Sequence, residues 1–319
     1  MRARCLVPLC LAVACGGDDT TANVDGGIDA KLGDPTVLAG YVNVSLKDSD
    51  PDYTSIDGKV NNAASPVLPI LHTMTTDGDC QLRIPSYPFC SMSCGTGACV
   101  ADETCMPYPT SQDVGTIHVA GVHTAAGASE LDLVHNVSSA GVHSYSHGAT
   151  SLAYPGFADG DPITVTASGS AYTPAFTLTA AGIAPLALTS SAPTLQRNTA
   201  IDVTWTPPAT AAASRIRIKV DISHHGGLRG QIDCDTADDG SLTLGAAMLT
   251  QLIDLGVAGF PTIEVTRERV GSALTVGGRV DLTISSMISQ AITIPGVISC
   301  NDDTMCTPPA TCQPDLTCR

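Results

Sequence analysis

Apolar and polar residues alternate with a period of two along most of the chain, the pattern of β-strands that bury one face. Val42, Val44 and Leu46 alternate with polar residues in 41–46, and residues 215–222 alternate four charged with four branched apolar side chains. The same alternation recurs at 116–120, 162–168, 176–180, 201–206, 261–270 and 278–285. The pattern predicts a chain made mainly of short strands.

One segment departs from this alternation. Between Gly245 and Gly256 the apolar residues follow helical spacing, and Gly256 is suited to end a helix. We therefore predict one short helix over residues 246–255. Its apolar positions are Ala246, Met248, Leu249, Leu252, Ile253 and Leu255.

The strand pattern, together with 30 glycines and 21 prolines, predicts an all-β fold, specifically an antiparallel β-sandwich of the Ig-like or fibronectin-like type. Two arrangements remain open: one large sandwich with insertions, or two modules that meet near residues 187–200. The two-module arrangement is the working prediction. It gives an N-terminal sandwich (36–190) with a cysteine-rich insert (80–110), a C-terminal sandwich (191–298) that begins near Trp205, and a cysteine-rich tail (299–319).

The N-terminus has the features of an export signal. Arg2 and Arg4 precede ten uncharged residues, too few to span a bilayer. The segment from Leu11 to Cys15 resembles the lipobox of bacterial lipoproteins, although Ala12 occupies the position where leucine is usual. We therefore predict a signal peptide (1–14), lipidation of Cys15 and a polar tether (15–35). The absence of aspartate directly after Cys15 favours the outer over the inner membrane.

The charge balance bears on the partners. The formal net charge is −16, which opposes binding to nucleic acid because such binding depends on Lys and Arg. Attraction to anionic lipid is disfavoured for the same reason. The expected contact with the membrane is therefore the N-terminal lipid alone.

Cysteine usage predicts a disulfide framework. Thirteen cysteines are present, and the ten that follow the predicted anchor form an even set, as expected after export. Local spacing favours alternating pairs within the insert and within the tail, which leaves one pair to cross the fold. The expected bridges are Cys90–Cys99, Cys94–Cys105, Cys300–Cys312, Cys306–Cys318 and Cys80–Cys234.

Four segments carry a resemblance: 89–122, 154–169, 215–234 and 300–318. They are similar to a family of uncharacterised bacterial lipoproteins that combine a cysteine-rich insert, β-sandwich regions and a cysteine-rich tail. The resemblance covers most of the mature chain. It implies a location in the cell envelope and carries over no catalytic or binding residues.

Candidate metal ligands are few. His224 and His225, with Asp221 nearby, are the candidates for a zinc site in a glycine-containing turn. Zinc in the cysteine clusters is disfavoured because no C-x2-C spacing occurs. Oxygen-rich loops at Asp48, Asp50 and Asp52, and at Asp233, Asp235, Asp238 and Asp239, could suit calcium, but neither follows an EF-hand pattern.

The remaining histidines are interpreted as structural. In a strand, His135 would lie on the same face as the apolar residues Leu131, Leu133 and Val137, which predicts a buried, hydrogen-bonded side chain. His143 and His147 are four residues apart, but no helical pattern surrounds them, so the spacing does not indicate a metal site.

No catalytic constellation emerges from the sequence, so the predicted function is non-enzymatic. We expect a lipid-anchored envelope protein that binds a protein or glycan ligand or serves a structural role. The alternative is a secreted metal-dependent hydrolase that uses the His224–His225 turn.

Overall fold

The computed structural model describes residues 34–209 and 214–319. The predicted signal peptide, Cys15 and most of the predicted tether lie outside the described residues, and so their assignments stay predictions.

Within the described residues, strands dominate. In chain order they are β1 (Leu38–Lys47), β2 (Tyr53–Val60), β3 (Ile70–Asp77), β4 (Cys80–Ser86), β5 (Gly97–Ala101), β6 (Thr104–Pro107), β7 (Ile117–Ala120), β8 (Glu130–Asp132), β9 (Val134–Val137), β10 (His143–Ser146), β11 (Pro162–Ala167), β12 (Phe176–Ala181), β13 (Ile201–Thr204), β14 (Arg215–Asp221), β15 (Gln231–Ala237), β16 (Ser241–Leu244), β17 (Thr262–Thr275) and β18 (Gly278–Ala291).

The described strands form one large sheet and three small ones. The large sheet has ten strands in the order β3-β4-β15-β14-β17-β18-β1-β2-β10-β9. A second sheet has the order β12-β11-β7-β8, and two-stranded sheets pair β13 with β16 and β5 with β6. The prediction of an all-β fold is confirmed.

The pairing of β1 with β18 differs from the expected antiparallel arrangement. These two strands are parallel, with Tyr41 opposite Asp281 and Leu46 opposite Ser286. On its other side β1 pairs with β2 in the antiparallel sense. Parallel neighbours need a long connection between them, and here residues 48–277 separate the two strands.

The apolar faces form two hydrophobic cores. In the first core, β1, β2 and the beginning of β18 pack against the four-stranded sheet, which is sheet-on-sheet packing as in a sandwich. The second core contains residues of β4, β14, β15 and β17, together with Trp205 and the helix. Both cores draw on both sides of residue 190, since Val280 lies in the first and Leu82 in the second. One continuous sheet therefore supports two cores.

The helix α1 spans Ala246–Asp254 and confirms the prediction of a short helix in this segment. Its apolar stripe is buried in the second core. Gly256 follows with φ +95°, a left-handed conformation that ends a helix readily when the residue is glycine. No described helix has the length and apolar character needed to cross a membrane.

Five disulfides include all ten cysteines of the described residues. They are the five pairs expected from the sequence: Cys80–Cys234, Cys90–Cys99, Cys94–Cys105, Cys300–Cys312 and Cys306–Cys318. Cys80 and Cys234 lie directly opposite each other on β4 and β15 and are buried in the second core. The other four bridges close short loops in the insert and the tail.

A buried ion pair lies beside the second core. The side chains of Arg267 and Asp238 are 1% and 3% exposed, and the Arg267 Nε donates to Asp238 at 2.6 Å. Asp238 also accepts hydrogen bonds from Trp205 Nε1 and Ser214 Oγ. The other guanidinium nitrogens donate to Asp238 and to the backbone carbonyls of Ala184, Pro185 and Thr206. Both charges are thus paired and hydrogen-bonded, as burial requires.

Candidate metal centre

The edge of the large sheet brings two histidines together. β9 and β10 form a hairpin in which His135 is opposite Tyr145 and His143 is opposite Val137. Because side chains alternate between the faces of a strand, His135 and His143 are diagonal neighbours on the same face. Their rings are nearly parallel, and His135 Nε2 lies 2.9 Å from His143 Nδ1.

A tight turn fixes this hairpin. The amide of Gly141 donates to the carbonyl of Ser138, and the amide of Ser138 donates to the carbonyl of Val142. Gly141 has φ +74°, which other residues adopt only with strain. The register that places the two histidines side by side therefore follows from a turn encoded in residues 138–142.

Asp113 is the third member of the cluster. One carboxylate oxygen of Asp113 and one ring nitrogen each of His135 and His143 all lie within 4.8 Å of one another. Asp113 belongs to the segment that enters β7, about twenty residues before the hairpin begins. The fold, and not the local sequence, brings this carboxylate to the histidines.

Tyr145 contacts two members of the cluster, His135 and Asp113. It is 1% exposed and lies in the first core, and its ring is stacked on that of His135 with the centroids 4.8 Å apart. Its hydroxyl donates to Asp113 Oδ1 at 3.1 Å and accepts from the amide of Val114 at 2.9 Å. Burial is the main cause that raises the pKa of Tyr145 to about 12, so the hydroxyl keeps its proton near neutral pH.

The Asp113 carboxylate is held in its ionised form. The hydrogen bond from the amide of Gly115 lowers the pKa of Asp113 most. The hydroxyl of Tyr145 and the nearby His135 and His143 lower the pKa further, against the opposing effect of desolvation. A charged carboxylate and two imidazoles form a ligand set suited to a divalent transition metal.

One of the histidine predictions needs correction. His135 is exposed, not buried, because β9 is the outermost strand of the sheet, although the expected hydrogen bond is present. His143 and His147 have different partners, as the lack of a helical pattern around them led us to expect: His147 Nδ1 lies 2.8 Å from the Thr150 carbonyl, and His143 contacts His135. The sequence does contain a signal for the pair, since a Val-His dipeptide occurs on each side of the Ser138–Gly141 turn. It contains no comparable signal for Asp113.

The turn of His224 and His225 does not gather a ligand set. The two rings are 4.0 Å apart and tilted, and His225 has φ +64°. Asp221 instead accepts hydrogen bonds from the amide and the hydroxyl of Ser223. Among the described residues, these three side chains do not form a group with ligand atoms within 4.8 Å of one another.

The acidic loops considered for calcium have other contacts. Asp233 pairs with Arg83, Asp235 with Arg215 and Arg217, and Asp238 with Arg267. In the first loop, Asp52 accepts a hydrogen bond from the amide of Ser49. Neither loop is among the possible ligand groups found within the described ranges. Two cysteine groups are found, but their sulfurs are in disulfides and are not available as thiolates.

Comparison of the sequence with models of protein families finds no matching family, and comparison with curated proteins finds no match.

Proposed function

We propose that this chain is an exported, lipid-anchored protein of the cell envelope, non-enzymatic, whose cysteine-rich insert binds a protein partner. Export is supported by the pairing of all ten described cysteines. Disulfides form and persist in oxidising compartments and are rare in the cytosol. The short apolar N-terminal run that stops at Cys15 supplies the route of export and the site of lipidation.

Replacement of Cys15 by Ser tests the anchor. The wild-type chain is expected to sediment with membranes and to lose residues 1–14, because acyl chains on Cys15 stabilise membrane association by roughly 0.8 kcal/mol per buried CH2. The Cys15→Ser variant is expected to leave the membrane fraction or to keep its leader. Cys90→Ser with Cys99→Ser serves as the control, since it removes two cysteines without touching the anchor. Membrane retention of a Cys15→Ser chain cleaved after residue 14 would contradict lipidation.

The observation that carries the binding function is a group of exposed apolar side chains within residues 87–108 of the insert. Five large apolar side chains are exposed there: Tyr87, Phe89, Met92, Met106 and Tyr108, with Phe89 at 70% and Met92 at 78%. Single exposed apolar side chains are common on protein surfaces, whereas groups of them mark interaction sites. Aromatic residues and methionine are also the types enriched in the cores of protein interfaces.

The insert is rigid for its size. The Cys90–Cys99 and Cys94–Cys105 bridges tie the segment before β5 to the β5–β6 hairpin. Glu103 accepts hydrogen bonds from both the amide and the hydroxyl of Ser91, and Asp102 accepts from the amide of Phe89. A surface that is already ordered loses less conformational entropy on binding. This rigidity supports a role in recognition.

A protein partner fits this surface better than a glycan. Flat indole rings are favourable platforms for sugars, but Trp205, the one tryptophan of the chain, is 2% exposed and donates its Nε1 proton to Asp238. Met92 and Met106 add flexible apolar surface, which suits a side-chain interface. We therefore assign the insert to protein recognition.

Photo-crosslinking tests this assignment. A photoreactive residue at position 89 is expected to capture one predominant envelope protein in intact cells, and the combined Tyr87→Ser, Met92→Ser and Tyr108→Ser changes are expected to abolish that product. The matched control places the same residue at Met305, which is exposed in the disulfide-bonded tail. Equal capture from positions 89 and 305, or capture that survives the three serines, would contradict the proposal.

A further inference from the structure

We propose that Asp113, His135 and His143 form a binding site for a divalent first-row transition ion such as Zn2+, with one coordination position open to solvent. This inference does not depend on the proposed function of the insert. It rests on the placement of three ligand atoms at the edge of the large sheet, on the fixed orientation of Asp113 and on the exposure of His135.

The ligand atoms need little movement to bind one ion. Zinc–nitrogen and zinc–oxygen bonds of about 2.0–2.1 Å in tetrahedral geometry place ligand atoms about 3.4 Å apart. The two imidazole nitrogens are 2.9 Å apart, and no pair of the three ligand atoms exceeds 4.8 Å. The widest pair therefore has to close by about 1.4 Å at most, which small side-chain rotations on an edge strand can supply.

The hydrogen bond between the histidines also suits metal binding. Two neutral imidazoles that share one proton must present one N–H group and one lone pair to each other. When a cation binds between them, this proton moves to the other nitrogen of its own ring, so that both facing nitrogens offer the cation a lone pair. Neutral imidazole is the form of histidine that binds a metal, so this exchange needs no net loss of a proton.

Asp113 is positioned by its neighbours as a ligand. Within the described part of the chain, the hydrogen bonds from Tyr145 and Gly115 both end on its Oδ1. The second oxygen, Oδ2, keeps its lone pairs for an ion. Hydrogen bonds that orient a ligating carboxylate are a usual feature of metal sites and strengthen binding.

Three protein ligands leave an open position. Structural zinc sites use four protein ligands, whereas three ligands leave a place for water or for an external group. His135 is exposed at the sheet edge, so an ion at this site is reachable from outside the protein. We infer an exchangeable ion, and not one that is buried to stabilise the fold.

Zinc titration of the mature, untagged protein with its disulfides intact tests the site. Calorimetry is expected to give one zinc ion per chain. His135→Gln and His143→Gln are each expected to weaken zinc binding at least about 100-fold, because loss of an outer hydrogen-bond partner alone weakens metal sites by 10- to 100-fold. Substitution of cobalt is expected to give the visible absorption of a four- or five-coordinate ion, and His135→Gln is expected to remove this absorption.

Two matched controls separate this site from other histidines. His118 contacts Asp132 and Glu130 through different ring nitrogens, so His118→Gln is expected to leave zinc binding unchanged. The same result is expected for combined His224→Gln and His225→Gln changes. Because His135 is exposed, His135→Gln is expected to fold normally, which is checked by thermal unfolding without metal. If zinc fails to bind, binds His135→Gln as tightly as wild type, or is lost from either control, the proposal is wrong.

Discussion

Replacing Asp238 by Ala is expected to lower the free energy of unfolding by about 3–5 kcal/mol, the range for breaking one partner out of a buried ion pair. The change leaves the Arg267 guanidinium at 1% exposure without a counter-charge. It also removes the acceptor of Trp205 Nε1 and of Ser214 Oγ. Urea unfolding under non-reducing conditions measures the loss as a lower midpoint.

The adjacent aspartate provides the matched control. Asp239 is exposed, and Asp239→Ala is expected to change the free energy of unfolding by less than about 0.5 kcal/mol, as for most surface substitutions. Adding Arg267→Met to Asp238→Ala is expected to recover part of the loss, since it removes the unpaired charge. If Asp238→Ala and Asp239→Ala lower the free energy of unfolding equally, the buried ion pair does not stabilise the fold in the way proposed.

Removal of the Cys80–Cys234 disulfide, by Cys80→Ala with Cys234→Ala, is expected to lower the free energy of unfolding by about 5 kcal/mol. The chain-entropy relation gives this value for a loop of this length. The two cysteines are 154 residues apart, and the bridge therefore restricts the unfolded chain more than the four local bridges do. Both sulfurs also lie in the second core, so the alanines leave a small cavity. Urea unfolding without reductant measures the change.

The insert bridge Cys90–Cys99 is the matched control, with a separation of 9 residues. Its removal by two alanines is expected to cost about 2.7 kcal/mol at most by the same relation. It is also expected to act mainly on the insert, because this hairpin pairs only with itself among the described strands. If both variants lose the same global stability, loop length is not the source of the effect.

The sequence allowed us to predict which face of a strand is buried, but not which strands pair with each other in the sheet. The alternation in 215–222 places Ile216, Ile218, Val220 and Ile222 inside, and all four are buried. The helical spacing after Gly245 likewise gives α1. Periodicity specifies which face is buried, but it carries no information on which strand lies alongside. The parallel pairing of β1 with β18 could not be predicted for that reason.

Clusters formed across the fold escaped prediction for the same reason. The two histidines of the β9–β10 hairpin could be paired through their turn, because both residues lie on one local element. Asp113 comes from a different element, and only tertiary structure brings it near. Arg267 and Asp238 are similar. The alternation places Arg267 on the same inward face as Ile263 and Val265, but it carries no information that Asp238 and three carbonyls meet the guanidinium there.

The parallel contact between β1 and β18 has a consequence for biogenesis. The middle of the ten-stranded sheet joins residues near 40 to residues near 280, and contacts so distant in sequence form slowly because a long loop must close first. A chain that leaves the ribosome or a translocation channel from its N-terminus exposes β1 long before β18 emerges. The edge of β1 that pairs with β18 therefore has no hydrogen-bonding partner until almost the entire polypeptide has emerged. The ten-stranded sheet is completed only after the chain is released.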